Sequence, residues 1–392
     1  HTLQPAASGE GREIAEAGNR VSGRFALNHR RLAIDEFRFA TGSEEELYTA
    51  EGQAAIELGA NPSFSITADG AQIRLNGSEA NGEAVSSLSA DERLAALRRF
   101  VADLPKPAIP GTIAVTLPAI IVGDTTIRNI RVEAQPAADG WDIASVAATL
   151  PGRTHFEGQG MLSTGEPLSF DGAIVLAVNQ PSGFAAWLAR DVDEAIRALP
   201  AAGFSADVVL TGEHQSFDKL ELILGDALFR GDIERHSPAG VRPSLMLSLR
   251  GDRLDVEGMR AFASLFVDEA GHNRLAGHDV DLEIAAGPVS AGGLTAERLD
   301  TALRLREGTL EIDRLTVSGL AGANISATGH LDDIAGDPTG QVDATVIAVD
   351  LEPLVDMLAQ RFSENRLLAA LDRNAELYPG PLSDSEIDII AS

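Results

Sequence analysis

The sequence has no cysteine, which excludes disulfides, thiolate metal sites and cysteine nucleophiles. Lysine is nearly missing as well. Lys106 and Lys219 are its two occurrences, so no polybasic patch can be assembled from them. Aromatic residues make up 5% of the 392 positions, leaving Leu, Ala, Val and Ile to supply the hydrophobic surface. The longest apolar stretch, residues 108–123, is interrupted by Pro110 and Pro118 and is too broken to span a bilayer. Positive charge is scarce: 31 Lys and Arg face 59 Asp and Glu, for a formal charge of −28. A surface that acidic repels phosphate backbones and anionic headgroups, which argues against direct nucleic-acid binding.

What is present is aliphatic and glycine-rich. Apolar residues reach 44% and there are 38 glycines. That mixture suits many short strands joined by tight turns better than a helical bundle. The chain starts at His1 and ends in the alternating run Ser385–Ile390, and we read it as a piece of a longer protein.

A weak but ordered pattern recurs four times. Its first element is an apolar residue, usually Asp, any residue, then another apolar residue: Ile34–Phe37, Ile143–Val146, Phe217–Leu220 and Ile312–Leu315. A glycine follows each, at Gly52, Gly158, Gly231 and Gly329, and a proline then introduces a further strand, at Pro62, Pro167, Pro243 and Pro338. Within each unit the period is two. Leu299, Thr301, Leu303 and Leu305 share one face against Asp300, Arg304 and Arg306, and Leu245, Leu247 and Leu249 alternate with Ser244, Ser248 and Arg250. Such runs are half-buried antiparallel strands. The apolar positions change parity across the Asp-centred element, from Leu310 and Ile312 to Leu315 and Val317. A one-residue slip turns every side chain over, so a bulge is expected near Asp35, Asp218 and Asp313, curling the sheet into a trough.

Helical inserts follow the strands. Ser89 and Glu92 form a capping box ahead of Leu94, Leu97, Val101 and Leu104. Further stripes run from Phe184 to Leu199, from Val256 to Phe266, and from Pro353 to Phe362. The fold class is therefore mainly β with α inserts. Repeated antiparallel units form a long, twisted, groove-like, taco-shaped sheet with amphipathic helices between them. The units fall at 12–104, 105–200, 201–270 and 271–374, with the start of a next one at 375–392.

Catalytic and metal motifs are absent. His272 and His278 lie near Asp279, Asp281 and Glu283, but no His-Glu-x-x-His pattern exists, and the acids read as the wet face of a strand. The loop with Asp332, Asp333 and Asp337 lacks the ligand order of a calcium loop. No nucleophile elbow, phosphate loop or dinucleotide fingerprint occurs. We expect no enzyme and no cofactor.

The segment Leu299–Leu354 resembles the repeat region of the AsmA family of bacterial envelope proteins. The likeness rests on Leu310–Leu315, the glycine-flanked strand from Gly322 to Gly329, and Gly340–Asp350 followed by Leu351–Leu354; it extends more loosely over residues 20–362. The resemblance implies a β-groove with an apolar lining, related to bridge-like lipid transfer proteins. It further implies a periplasmic location, with an inner-membrane anchor outside this segment, and a role in outer-membrane biogenesis and phospholipid movement. Phospholipid acyl chains are then the partners, with other envelope proteins beside them. Leu220, Leu222, Leu245, Leu247, Leu249, Leu303, Leu305, Leu315, Val317, Ile325, Val342 and Val346 are the candidate groove residues. The alternative is a periplasmic scaffold whose same apolar faces form a closed core with no lipid path.

Overall fold

The computed structural model describes residues 20–41, 48–75, 90–102, 104, 107–188, 194–259, 277–333, 339–361 and 383–391. The fold is mainly β. By contacts the chain divides into two compact units, one comprising His1–Arg190 with Val208–Gly212 and the other Asp191–Asp207 with Glu213–Ser392.

In the first unit β1 (Arg20–Leu27), β2 (Arg31–Thr41), β3 (Tyr48–Glu57) and β4 (Ser63–Gly70) form an antiparallel succession. A short β5 (Ile73–Leu75) and helix α1 (Ala90–Ala102) lead to β6 (Gly111–Val122), which lies parallel to β4 and β5. The antiparallel order then resumes through β7 (Thr125–Ala137), β8 (Gly140–Leu150), β9 (Thr154–Ser163) and β10 (Ser169–Val178). Ala96 and Leu97 of α1 pack on Leu117, Ile120, Val122, Ile127 and Ile130. A crossover is needed there because a parallel pair cannot be joined by a hairpin, and α1 lies within it.

Helices α2 (Pro181–Leu188) and α3 (Glu194–Ala198) occupy the stripe read from Phe184 to Leu199; residues 189–193 lie outside the described residues. Next in order is β11 (Ala202–Leu210).

The second unit pairs β12 (His214–Leu224), β13 (Ala227–His236) and β14 (Ser244–Gly251) antiparallel, with β16 (Asp279–Ala286) parallel to β14. A small separate sheet combines β15 (Leu254–Asp255), β17 (Val289–Ala291) and β18 (Leu294–Ala296). From β16 the main sheet continues antiparallel through β19 (Arg298–Arg306), β20 (Thr309–Leu320), β21 (Ala323–Asp332), β22 (Thr339–Asp350) and β23 (Ser383–Ala391). Helix α4 (Glu352–Arg361) follows β22, and Asp350 accepts a hydrogen bond from the Glu352 amide at its start. Ser89 and the residues after Met259 in the Val256–Phe266 stripe lie outside the described residues.

The three expected bulges are present, and the second repeat carries one at the equivalent place. Register shifts by one residue between Ile34 and Phe37, Ile143 and Val146, Phe217 and Leu220, and Ile312 and Leu315. The extra residues include Asp35, Ala144, Asp218 and Asp313, so the second repeat bulges without the aspartate. The glycines face the bulges across the ladder: Gly52 partners Phe37, Gly158 partners Val146, Gly231 partners Leu220, and Gly329 partners Ile312 on the other flank. In each repeat one glycine beside the bulge comes so close to the next strand that a Cβ would overlap a backbone oxygen. These are Gly52 against Thr67, Gly160 against Asp171, Gly231 against Ser248 and Gly329 against Gln341. In the second repeat the close approach is therefore at Gly160, two residues beyond the glycine that the repeat pattern singles out. Gly231→Ala is expected to destabilise the chain by ~1–3 kcal/mol in urea unfolding. Gly212→Ala, where a Cβ meets nothing within 4 Å, is expected to stay within about 0.5 kcal/mol of the parent.

Candidate functional site

Register partners share a face, so the ladder can be read as rows running across the second unit. One row is Arg235, Leu245, Val280, Leu305, Leu310 and Leu331, aliphatic but for the arginine at its β13 end. Its neighbour is Ile233, Leu247, Leu282, Leu303, Ile312, Gly329 and Val342. Beyond the bulge lies a third row of Leu220, Gly231, Leu249, Ile284, Thr301, Leu315, Ala327 and Ala344. The fourth is Leu222, Phe229, Gly251, Ala286, Leu299, Val317, Ile325 and Val346. All the candidate groove residues thus stand on one face, in four adjacent rows. The bulge achieves this: without the extra residue, Leu315 and Val317 would turn to the side opposite Leu310 and Ile312.

The rows differ in how far they are covered. Leu245, Leu247, Leu303, Leu305 and Val342 are half-buried, as are Leu315, Val317 and Ile325. Leu220, Leu222, Leu249 and Val346 are buried, and Phe229 and Ala286 beside them are buried too. At the buried end, Leu351 and Leu354 at the start of α4 pack with Ala323, Val346 and Ala348, and the small sheet buries Leu254, Val289 and Ala296. Thr301 is the one hydroxyl in these rows, and it donates to the carbonyl oxygen of Arg314 in the bulge, 3.2 Å away. A polar group inside the apolar face is thereby satisfied.

The opposite face is charged and interlocked. Arg304 holds Asp313 through two hydrogen bonds and lies 2.8 Å from Glu311. Arg314 donates to Asp300 at 2.8 Å, and Arg306 grips both oxygens of Asp281 at 2.6 and 2.7 Å. Hydrogen bonding from the Arg304 guanidinium, helped by its charge, lowers the Asp313 carboxyl from its ordinary value, while Asp313 and Glu311 raise that of Arg304. Of the acids near His278, Asp281 is thus held by Arg306. Asp279 pairs with Arg242, and buried His278 accepts from Arg235. His272 and Asp337 lie outside the described residues.

Sequence reading named residues from β12, β14 and β19–β22 but omitted Val280, Leu282 and Ile284 of β16. Their alternation was visible. What was missing was the parallel pairing of β16 with β14, which inserts these residues between Leu247 and Leu303. Among the described residues no helix is long and apolar enough to cross a membrane. Comparison of the chain with protein-family models, curated proteins and solved structures gives no match.

Two outcomes follow from this geometry. Phe229→Ala is expected to cost about 3–5 kcal/mol in denaturant unfolding, and Leu247→Ala less than the ~2 kcal/mol floor for a fully buried leucine. Because the folded-state value of Asp313 is lowered, its contribution to stability is fully present above the unfolded value of about 3.9 and is lost as pH falls through the folded value. The stability difference between the parent and Asp313→Asn should therefore hold from neutral pH down to about 4 and shrink below it, as measured by urea titration across pH.

Proposed function

We propose that this chain is a length of a bacterial envelope protein of AsmA type that shields or conducts phospholipid acyl chains along the apolar face of its sheet, contributing to outer-membrane biogenesis. The observation that carries the reading is the sidedness of the second unit. Four contiguous, mainly aliphatic rows lie on one face, the first two half-buried and the first ending at Arg235, and paired charges lie on the other.

The mechanism is passive. An acyl chain lying along Leu245, Leu247, Leu303 and Leu305 leaves water at a gain of about 0.8 kcal/mol per CH₂, and an aliphatic lining imposes no specific polar contact that would hold it in place. The headgroup stays in solvent. A few aliphatic rows suit this better than aromatics, which would offer stacking and polar handles. The scaffold alternative draws its support from the burial of Leu220, Leu222, Leu249 and Val346, the last of which packs with Leu351 and Leu354 at the start of α4.

The folded, tag-free chain purified from a bacterial host should carry phospholipid detectable by mass spectrometry of its organic extract. Leu247→Asp combined with Leu303→Asp should reduce that lipid several-fold, while Thr328→Asp on the opposite face should leave it unchanged. A folded parent chain carrying no more phospholipid than a delipidated control would favour the scaffold.

A further inference from the structure

A second feature sits on the charged side of the same sheet. His214 opens β12 and His236 closes β13, and the two are direct cross-strand partners. Glu234 precedes His236 by two residues and therefore shares its face. The His214 Nε2 lies 3.0 Å from Glu234 Oε1, and the two imidazole rings meet edge-on with centroids 4.5 Å apart. One ligand atom from each of the three residues can be chosen so that all lie within 4.8 Å of one another. In a tetrahedral site with metal–ligand bonds of 2.0–2.1 Å, ligand atoms stand about 3.4 Å apart. Closing from a span of 4.8 Å to that range calls for side-chain rotation alone, since the backbone positions are already adjacent.

The backbone beneath them is held. The Ser237 amide donates to the Glu213 carbonyl at 2.7 Å, continuing the ladder past the last strand pair, so the ligands project from paired strands and not from a loop tip. The nearest guanidinium in sequence is directed elsewhere: Arg235 donates to Gln215 and to His278. His214 is half-buried, Glu234 and His236 are exposed, and an ion can reach them from solvent. The net charge of −28 attracts cations generally.

We propose that His214, Glu234 and His236 form a transition-metal site for a zinc-class divalent ion. Two imidazoles and one carboxylate suit Zn²⁺, Ni²⁺ and Cu²⁺, whereas Ca²⁺ and Mg²⁺ take all-oxygen sets. Three protein ligands leave the fourth position to water or an outside donor. Bound metal would clip the open end of the β12–β13 pair.

The test uses the full, tag-free chain after EDTA treatment and dialysis, titrated calorimetrically with ZnCl₂. One saturable site per chain is expected. It should be abolished in His214→Ala/His236→Ala, weakened at least about tenfold in Glu234→Gln, and retained in His330→Ala. MgCl₂ and CaCl₂ should give no saturable heat. As a second readout, excess Zn²⁺ should raise the unfolding temperature of the parent and leave that of the double variant unmoved. Circular dichroism confirms that the variants fold. No saturable Zn²⁺ binding by the folded parent, or equal binding by the folded double variant, overturns the proposal. Neither result bears on lipid binding, which uses the other face.

Discussion

Everything in this sheet depends on keeping side-chain parity. A strand has a period of two, so its apolar residues stay on one face only while the count is unbroken. Here the count breaks at the same place in every repeat, and a bulge restores it. Ile312 and Leu315 are three residues apart yet face the same way, because the register advances by two on the partner strand. Bulges also increase local twist and bend. The bending has a steric signature: Gly231 and Gly329 stand where a Cβ would meet the carbonyl of the next strand.

With parity kept, the two faces of the second unit acquire opposite chemistry. Aliphatic side chains from β12 to β22 line up row by row, and arginines on the reverse are tied to carboxylates on neighbouring strands. These exposed pairs add little to stability individually. They spread paired charge across the wet face, while Arg235, in register with Leu245 at the edge of the apolar rows, is held by Gln215 and His278. Within the apolar face the gradient is set by what packs over it. The α4 end is core, and the rows on the far side of the bulge are half-buried.

The repeat was legible because it is local. The parity switch located the bulges at Asp35, Asp218 and Asp313, and the prolines at 62, 167 and 243 do stand just before strands that begin at Ser63, Ser169 and Ser244. Gly158 does stand beside the bulge, opposite Val146, but the close approach to the next strand is at Gly160, because residue type alone does not tell which flank of a bulge makes it. The contribution of β16 was missed for a different reason. Its place between β14 and β19 comes from a parallel pairing across residues 252–278, and no local pattern encodes that partner. The His214, Glu234 and His236 grouping was hidden in the same way, since its members come from two strands separated by a hairpin.

By itself the sequence determined which residues are apolar, which face of each strand they share, where the count must slip, and that the class is mainly β. Those properties live within a few residues of backbone and follow from its alternation. Only the tertiary structure decided which strands stand side by side, that the candidate residues form four contiguous rows on one face, and which of them are sealed under α4. Burial and neighbourhood are set by non-local pairing, and an alternating strand looks the same whether its apolar face is covered or open.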